Sequence, residues 1–274
     1  MKKLQCLLVA GFLCGAAAFT ACSDDSSTNK QESTKLDSAY ISSKLVGKWM
    51  NVEEDGQTIP TNMRGVVTIE SEKSGFFSTS FGDQAWLDHM AFDYSIKGDT
   101  LAWDVQESEV VQVHLQHIVK SIDDSNINMI TTATMTANGA VVKVLGPMNV
   151  HFIRLDKDFG KDVIGLWEGK SSGEKSEFDD GKKHRWEYKA DGTYIYYVNE
   201  DGEWKKSDNE YNSYFIDGTL LCTRWGADGK ENREWWVVES ISDGVMKWTA
   251  IRVDDKGKQY TASFEMTKVT TKEP

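Results

Sequence analysis

Basic residues are outnumbered in this chain, which has 31 lysines and arginines against 43 aspartates and glutamates and a net charge of −12 at pH 7. Nucleic-acid backbones are bound by clusters of Lys and Arg that displace counterions. Here the adjacent basic residues are isolated pairs, such as Lys182–Lys183 and Lys205–Lys206. The charge balance therefore predicts that nucleic acid is not a partner.

The signatures of common catalytic and cofactor sites are also missing. The sequence has no HExxH or repeated CxxC pattern, no GxSxG elbow and no glycine-rich phosphate loop. His114 and His117 form a close pair, but residues three apart on a strand face opposite sides of the sheet, so one metal ion cannot readily take both. We therefore predict a protein that is not an enzyme and has no catalytic residues, metal or cofactor.

Two weaker chemical candidates have ordinary explanations. Cys222 has no neighbouring partner that would mark it as a nucleophile, and we predict that it is a small buried apolar residue. The acidic pairs Glu53–Glu54 and Asp179–Asp180 lie in turn-like segments, where solvated carboxylates are expected. Neither feature singles out an acid or a base.

The first 22 residues have the three parts of a bacterial export signal. Lys2 and Lys3 precede an apolar run over 4–19, which is short for a transmembrane helix of about 20 residues. The run FTAC at 19–22 resembles the lipobox of bacterial lipoproteins, which implies a signal peptide over 1–21 and a diacylglycerol on Cys22. Cleavage elsewhere and retention as an anchor helix are the alternatives.

A polar segment follows the lipobox, and its composition predicts a flexible tether over 22–40. Its start, SDD at 23–25, resembles the acidic tag that sends lipoproteins of some Gram-negative bacteria outward, so we expect a lipid anchor in the outer membrane, at the cell surface. Loss of Lys2 and Lys3 with the signal changes the net charge from −12 to −14. Because the other cysteines lie at or before position 22, Cys222 has no partner for an intrachain disulfide.

The remainder of the chain repeats itself. LVGKW at 45–49 returns as VIGLW at 163–167, and VKSIDD at 119–124 returns as VESISD at 238–243, so the offsets are 118 and 119 residues. FIRL at 152–155 and MTKV at 266–269 close the two copies. Nearly equal offsets predict two domains, which we place at 41–157 and 158–274.

Both copies are predicted to be made of strands. In the second copy, Asp-Gly and Lys-Gly turn signals separate segments rich in aromatic and β-branched residues. These segments lie near 165–170, 183–189, 193–199, 211–217, 219–225, 232–241, 244–253 and 258–268. The first copy gives a similar count of strands after a short helix at 38–45, and the clear ones lie at 64–70, 76–81, 110–122, 127–136 and 149–155. We predict an all-β protein with two consecutive antiparallel, up-and-down, eight-stranded barrels.

On these motifs each copy resembles a lipocalin-like, or calycin, domain, and the chain resembles bacterial lipoproteins that carry two such domains in tandem. In that superfamily the first strand carries Gly-x-Trp, and the last strand carries a basic residue that packs across the indole. A cation over an indole contributes about 0.5–2 kcal/mol. The resemblance implies that the residues closing the barrels are Gly47, Trp49 and Arg154 in the first copy and Gly165, Trp167 and Lys268 in the second.

Aromatic residues are concentrated in the second copy, which holds seven of the ten tryptophans. They either fill the barrel core or line a pocket for an apolar or glycan ligand. Trp235 and Trp236 are adjacent on a strand, so one of them is expected outside the core, as an exposed contact for sugar, lipid or protein. The candidate ligand-binding residues are Trp186, Tyr188, Trp225 and Trp248.

Three hypotheses about function follow from these patterns. The first is an extracytoplasmic lipoprotein, held to the membrane through Cys22, whose second lipocalin-like domain binds a small apolar or glycan ligand. The second is a scaffold or interaction module that binds no ligand and contacts another protein of the cell envelope. The third is an enzyme, although no residue can be nominated for it.

Overall fold

A computed structural model describes residues 36–81, 85–106, 110–171 and 182–270 of the chain. The predicted signal peptide, Cys22, most of the tether and the Asp179–Asp180 pair lie outside the described residues. No helix in the described ranges has the length and apolar character needed to cross a membrane.

Helix α1 (Ser38–Leu45) confirms the predicted short helix. The Asp37 side chain caps it by accepting a hydrogen bond from the backbone N–H of Tyr40, at 3.0 Å. Ile41 and Leu45 are buried in the core of the first barrel. The helix therefore covers the end of that barrel.

The first barrel is an antiparallel meander that closes on itself. Each strand pairs with the next, and β1 pairs with β9, so eight strands form a continuous cylinder to which β2 adds a short hairpin. The strands are β1 (Gly47–Glu54), β2 (Gln57–Thr58), β3 (Gly65–Ile69), β4 (Ser74–Phe81), β5 (Ala85–Lys97), β6 (Thr100–Gln106), β7 (Val111–Ile122), β8 (Asn126–Ala137) and β9 (Ala140–Arg154).

The second barrel is a curled antiparallel sheet in the order β13-β12-β11-β10-β18-β17-β16-β15-β14. Its strands are β10 (Gly165–Ser171), β11 (His184–Tyr188), β12 (Tyr194–Glu200), β13 (Glu203–Lys206), β14 (Tyr211–Asp217), β15 (Leu220–Ala227), β16 (Lys230–Ser242), β17 (Val245–Val253) and β18 (Gln259–Lys268). All eight segments predicted from the sequence appear as strands, and β13 is additional. The prediction of an all-β chain with two barrel-like units is confirmed.

One seam of the second barrel is only partly closed, a detail that the sequence did not predict. Strand β13 occupies the edge of β12 from Tyr197 to Glu200. On the β12 side, strand β14 therefore pairs only with the residues that directly precede β12. The contacts are the Thr193–Ser213 bridge and a 2.8 Å hydrogen bond from the Tyr214 N–H to the Gly192 carbonyl. Beyond these contacts β13 and β14, the two edge strands of the sheet, are separated by a gap in the cylinder.

The outer faces of the two barrels pack against each other. Phe215, Leu220 and Cys222 of the second barrel form an apolar cluster with Met50 and Val66 of the first. The Cys222 side chain is fully buried, as predicted, and burial raises the pKa of its thiol well above the usual value. The cluster joins the two units through a shared apolar interface.

The adjacent tryptophans of β16 do point in opposite directions, but neither is an exposed contact for an external partner. Trp236 is buried inside the second barrel. Trp235 packs in the cluster between the barrels, and its Nε1 donates a 2.6 Å hydrogen bond to the Ser80 carbonyl. The expectation of an exposed indole was therefore wrong, because the first barrel covers this outer face.

A buried carboxylate lies at the centre of the interface. The Asp217 side chain is fully buried and accepts hydrogen bonds from Lys48 Nζ and from Ser78 Oγ, the latter at 2.6 Å. Lys48 also lies 3.2 Å from Asp158. Burial alone would lower the pKa of Lys48, but its contacts with Asp217 and Asp158 raise that pKa overall. The Lys48 ammonium of the first barrel thus compensates the buried Asp217 carboxylate of the second.

Candidate ligand pocket of the second barrel

The closing residues of the first barrel lie together at its end. Arg154 Cζ is 4.1 Å from the centroid of the Trp49 ring, and Trp49 Nε1 donates a 2.7 Å hydrogen bond to the Leu45 carbonyl. Gly47 has φ +140°, and a Cβ there would lie 2.1 Å from Arg154 Nη1. Glycine is therefore required for the arginine to cross the indole.

The second barrel repeats this arrangement. Lys268 Nζ is 5.1 Å from the centroid of the Trp167 ring, and Trp167 Nε1 donates a 2.7 Å hydrogen bond to the Val163 carbonyl. Gly165 has φ +137°, and a Cβ there would lie 3.0 Å from Lys268 Cε. Both copies therefore place a cation, an indole and a glycine together at one end.

The second barrel contains a cavity of about 280 Å³. It lies beside the gap between β13 and β14. Side chains from β11, β12, β15 and β16 form its walls together with the linker that precedes β14. The lining residues are Trp186, Tyr194, Tyr196, Ser207, Asn209, Thr223, Trp225 and Glu234. Barrel mouths are common positions for small-molecule sites.

Two of the four predicted ligand residues line this cavity, and two do not. Trp186 and Trp225 form parts of its wall. Tyr188 and Trp248 are almost fully buried in the aromatic core, where the Trp186 and Trp248 ring centroids are 6.3 Å apart. All four share the inward face of the sheet, but the stagger of the strands places Tyr188 and Trp248 deeper.

Sequence reasoning missed most of the polar wall. Glu234 faces inward because it lies two residues before buried Trp236, and its Cα pairs with that of Thr223. The alternation of inward positions along β16 could have revealed Glu234. Ser207 and Asn209 lie outside the strands, where no periodic signal exists.

The Glu234 carboxylate in the cavity wall forms an ion pair with Arg252. Arg252 Nη2 lies 3.1 Å from Glu234 Oε1, and the Arg252 guanidinium packs over the Trp236 ring with Cζ 4.6 Å from its centroid. Both charged side chains are about one-fifth exposed. The pair therefore sits at the boundary between the aromatic core and solvent.

The tyrosines near Glu234 remain protonated at neutral pH. Burial, followed by the negative charge of Glu234, raises the pKa of Tyr194, whose hydroxyl is hydrogen-bonded to Thr223. Burial and the charges of Tyr194 and Glu234 raise the pKa of Tyr188 in the same direction. Both hydroxyls therefore keep their protons, and that of Tyr188 has no hydrogen-bond partner among the described residues.

Several buried polar atoms in this barrel have no hydrogen-bond partner within the described part of the chain. They belong to side chains on the inward face, around and below the cavity. The atoms are Tyr188 Oη, Trp236 Nε1, Trp248 Nε1 and Asn212 Oδ1. Buried polar groups are normally satisfied by protein, water or a ligand.

The first barrel has a different opening. Strand β5 pairs with β6 only from Tyr94 to Lys97, and beyond this point the two strands separate. An open hollow of about 650 Å³ lies between them, lined by residues 90–95 and 102–105. It is more open to solvent than the cavity of the second barrel, and its rim carries Asp93 and Asp104.

The histidine pair of β7 points to opposite faces, as predicted. His114 is exposed and lies 2.9 Å from Asp104, whereas His117 is buried, with Nδ1 2.8 Å from Thr131 Oγ1 and its ring 4.3 Å from that of Trp103. Over the four described ranges, no group of three or more His, Cys, Asp or Glu side chains could hold a metal ion.

Burial lowers the pKa of His117 to about 3. Since an unfolded histidine titrates near 6.5, the unfolded chain binds the additional proton between these values, and stability falls as the pH is lowered through this window. When the pH is lowered from 7 to 5, the titration of His117 should reduce the free energy of unfolding by roughly 2 kcal/mol. The unfolding free energy of His117→Phe, measured with urea, should therefore depend less on pH than that of the wild-type protein. An equal pH dependence of the two proteins would refute the lowered pKa of His117.

Comparisons with known proteins do not identify the chain. No family model and no curated protein match it. One similar solved structure is a tryptophan-to-alanine mutant of the vaccine antigen transferrin binding protein B from Haemophilus parasuis, with 8% identity and a TM-score of 0.23, covering 83% of this chain and 64% of that one. Another is assigned as a thioesterase II from Thermobifida fusca, with 9% identity and a TM-score of 0.12, covering 58% and 75%. At these scores the similarities carry no argument about function.

Proposed function

We propose that this protein is a non-enzymatic, lipid-anchored lipoprotein with two lipocalin-like barrels, the second of which binds a small ligand at its open end. The observation that carries the proposal is the 280 Å³ cavity, which lies beside the open seam and is lined by Trp186 and Trp225. Trp167 and Lys268 fill one end of this barrel. A ligand would therefore enter beside the linker between β13 and β14.

The anchor belongs to the same proposal and is supported by the sequence. The lipobox-like FTAC run and the polar tether place Cys22 before the folded part of the chain. Several acyl chains on one cysteine would hold the protein on a membrane, since each buried methylene contributes about 0.8 kcal/mol. We propose the outer membrane and the cell surface as its location, and the mass of the chain purified from membranes tests the modification.

An interaction module is the second candidate, and one surface favours it. Val141, Val142 and Val144 of β9 are 62%, 56% and 56% exposed near the tip of the β8–β9 hairpin. Exposed apolar side chains close together are typical of contact surfaces. In this alternative the hairpin would bind an envelope protein and the second barrel would bind no ligand.

Titration of the intrinsic tryptophan fluorescence of the full chain separates the two candidates. With a panel of fatty acids and neutral saccharides, a ligand of the second barrel should change the emission, and Trp225→Ala should weaken its binding at least about tenfold, since it removes part of the wall. Trp204→Ala is the matched control, because Trp204 stacks beneath Arg185 and does not line the cavity. Silence across the whole panel would favour the interaction module.

A further inference from the structure

Resting on the proposed ligand site, we infer that the second barrel takes a neutral, hydroxyl-rich ring of the carbohydrate class, not a fatty acyl chain. Three properties of the cavity support this assignment: its mixed walls, its balanced charge and its small volume. Each property limits the ligand in a different way.

The aromatic walls fit one face of a sugar ring. Trp225 and Tyr196 are partly buried and line the cavity, and the Trp186 and Tyr196 ring centroids are 5.2 Å apart. A pyranose presents C–H groups on one face and hydroxyls around its edge. An aromatic surface can cover that apolar face while leaving the hydroxyls free to hydrogen-bond elsewhere.

The polar groups of the cavity match hydroxyls, which both donate and accept. Glu234 provides carboxylate oxygens, Thr223 and Ser207 provide hydroxyls, and Asn209 provides an amide. Below them, Tyr188 Oη and Trp248 Nε1 are buried donors without a hydrogen-bond partner among the described residues. An acyl chain in this space would displace water from the polar groups that line the cavity and offer them no hydrogen bond, which is costly, whereas a polyol could hydrogen-bond with them directly or through water.

The charges favour a neutral ligand. Glu234 and Arg252 form a 3.1 Å ion pair, so the charges of this pair balance. An added carboxylate or phosphate would compete with Glu234 for Arg252, and it would approach a chain with a net charge of −12. An added cation would compete with Arg252 for Glu234. A hydroxyl can share the Glu234 carboxylate without displacing the arginine.

The volume favours a single ring. Ligand pockets for drug-sized molecules are about 300–1,000 Å³, and this cavity, at about 280 Å³, lies just below that range. It corresponds to roughly nine water volumes. A monosaccharide, or one terminal residue of a longer glycan that leaves through the open seam, is the size that suits it.

Isothermal calorimetry and fluorescence titration of the full chain test the inference. The probes are glucose, galactose, mannose, N-acetylglucosamine, maltose and cellobiose, up to about 10 mM so that millimolar dissociation constants are detected, with palmitate and laurate as apolar comparators. We expect at least one saccharide to bind. Glu234→Gln, which keeps the shape but removes the charge that strengthens its hydrogen bonds, should weaken that binding about tenfold or more. Glu239→Gln is the matched control, because Glu239 lies on the same strand outside the cavity.

The outcomes separate this inference from the proposed function. Saccharide binding that is sensitive to Glu234→Gln and Trp225→Ala but not to Glu239→Gln supports both. Binding of fatty acids alone, sensitive to Trp225→Ala, would overturn the carbohydrate class and leave the ligand site standing. Saccharide binding that neither cavity variant alters, or no binding of any probe, would overturn both.

Discussion

The Lys48→Met variant is expected to lose about 3 kcal/mol of unfolding free energy, because it leaves a buried carboxylate without its cation. Asp217 has no exposed side-chain surface, and its remaining hydrogen-bond donor is neutral Ser78, while His89 Nε2 lies 3.9 Å from its Oδ2. Losses of 3–5 kcal/mol are typical when one partner of a buried ion pair is removed. Lys48 keeps 24% of its side chain exposed, so the lower end of that range applies.

Two further variants show whether the loss comes from the buried charge. Lys44→Met removes an ion pair with Asp124, whose side chain is 85% exposed, and should change stability little. The double variant Lys48→Met with Asp217→Asn removes both charges and should recover most of the loss. Urea unfolding of the four proteins measures these differences. Strictly additive losses in the double variant would contradict the proposed ion pair.

Trp167→Ala is expected to destabilise the second barrel by about 3–5 kcal/mol, since truncation of a large buried side chain loses its burial and leaves a cavity. Trp167 is fully buried, contacts Lys268 and donates to the Val163 carbonyl. Removal of the indole also leaves the Val163 carbonyl without its hydrogen-bond donor and eliminates the contact with Lys268. This loss of unfolding free energy should be among the largest caused by replacing any single tryptophan with alanine.

Trp204→Ala is the appropriate comparison for this prediction as well. Trp204 lies on short β13, on the outer face of the same barrel, where its ring contacts the Arg185 guanidinium at 3.8 Å. Its truncation should cost about 1 kcal/mol, the scale of a partly exposed cation–π contact. Chemical unfolding followed by circular dichroism measures both variants. Equal losses would mean that Trp167 does not plug the barrel end.

The sequence was sufficient to predict the main strands of the second barrel because two local signals agreed. Asp-Gly turns occur where the backbone needs positive φ, as at Asp201–Gly202 and Asp228–Gly229. Between them, inward positions alternate, for example from Tyr260 to Met266. Strand β13 was missed because its four residues are too few to show a period.

The pocket and the interface could be predicted only in part, because both depend on how distant strands meet. Alternation shows that Tyr188 and Trp225 face inward, but the stagger between strands decides that the first is buried and the second lines the cavity. Alternation likewise places Trp235 outside its barrel. It carries no information that Ser80, 155 positions away, covers that indole.

The central claim, that the open end of the second barrel is a ligand site, is tested most directly by the indole N–H signals in nuclear magnetic resonance spectra of the full chain. Each tryptophan gives one such signal, which can be assigned with single Trp→Phe variants. Addition of a saccharide that binds should shift the signals of Trp186 and Trp225 and leave that of Trp49, in the first barrel, unchanged. Shifts confined to Trp86 and Trp235 at the interface, or no shift with any probe, would contradict the account.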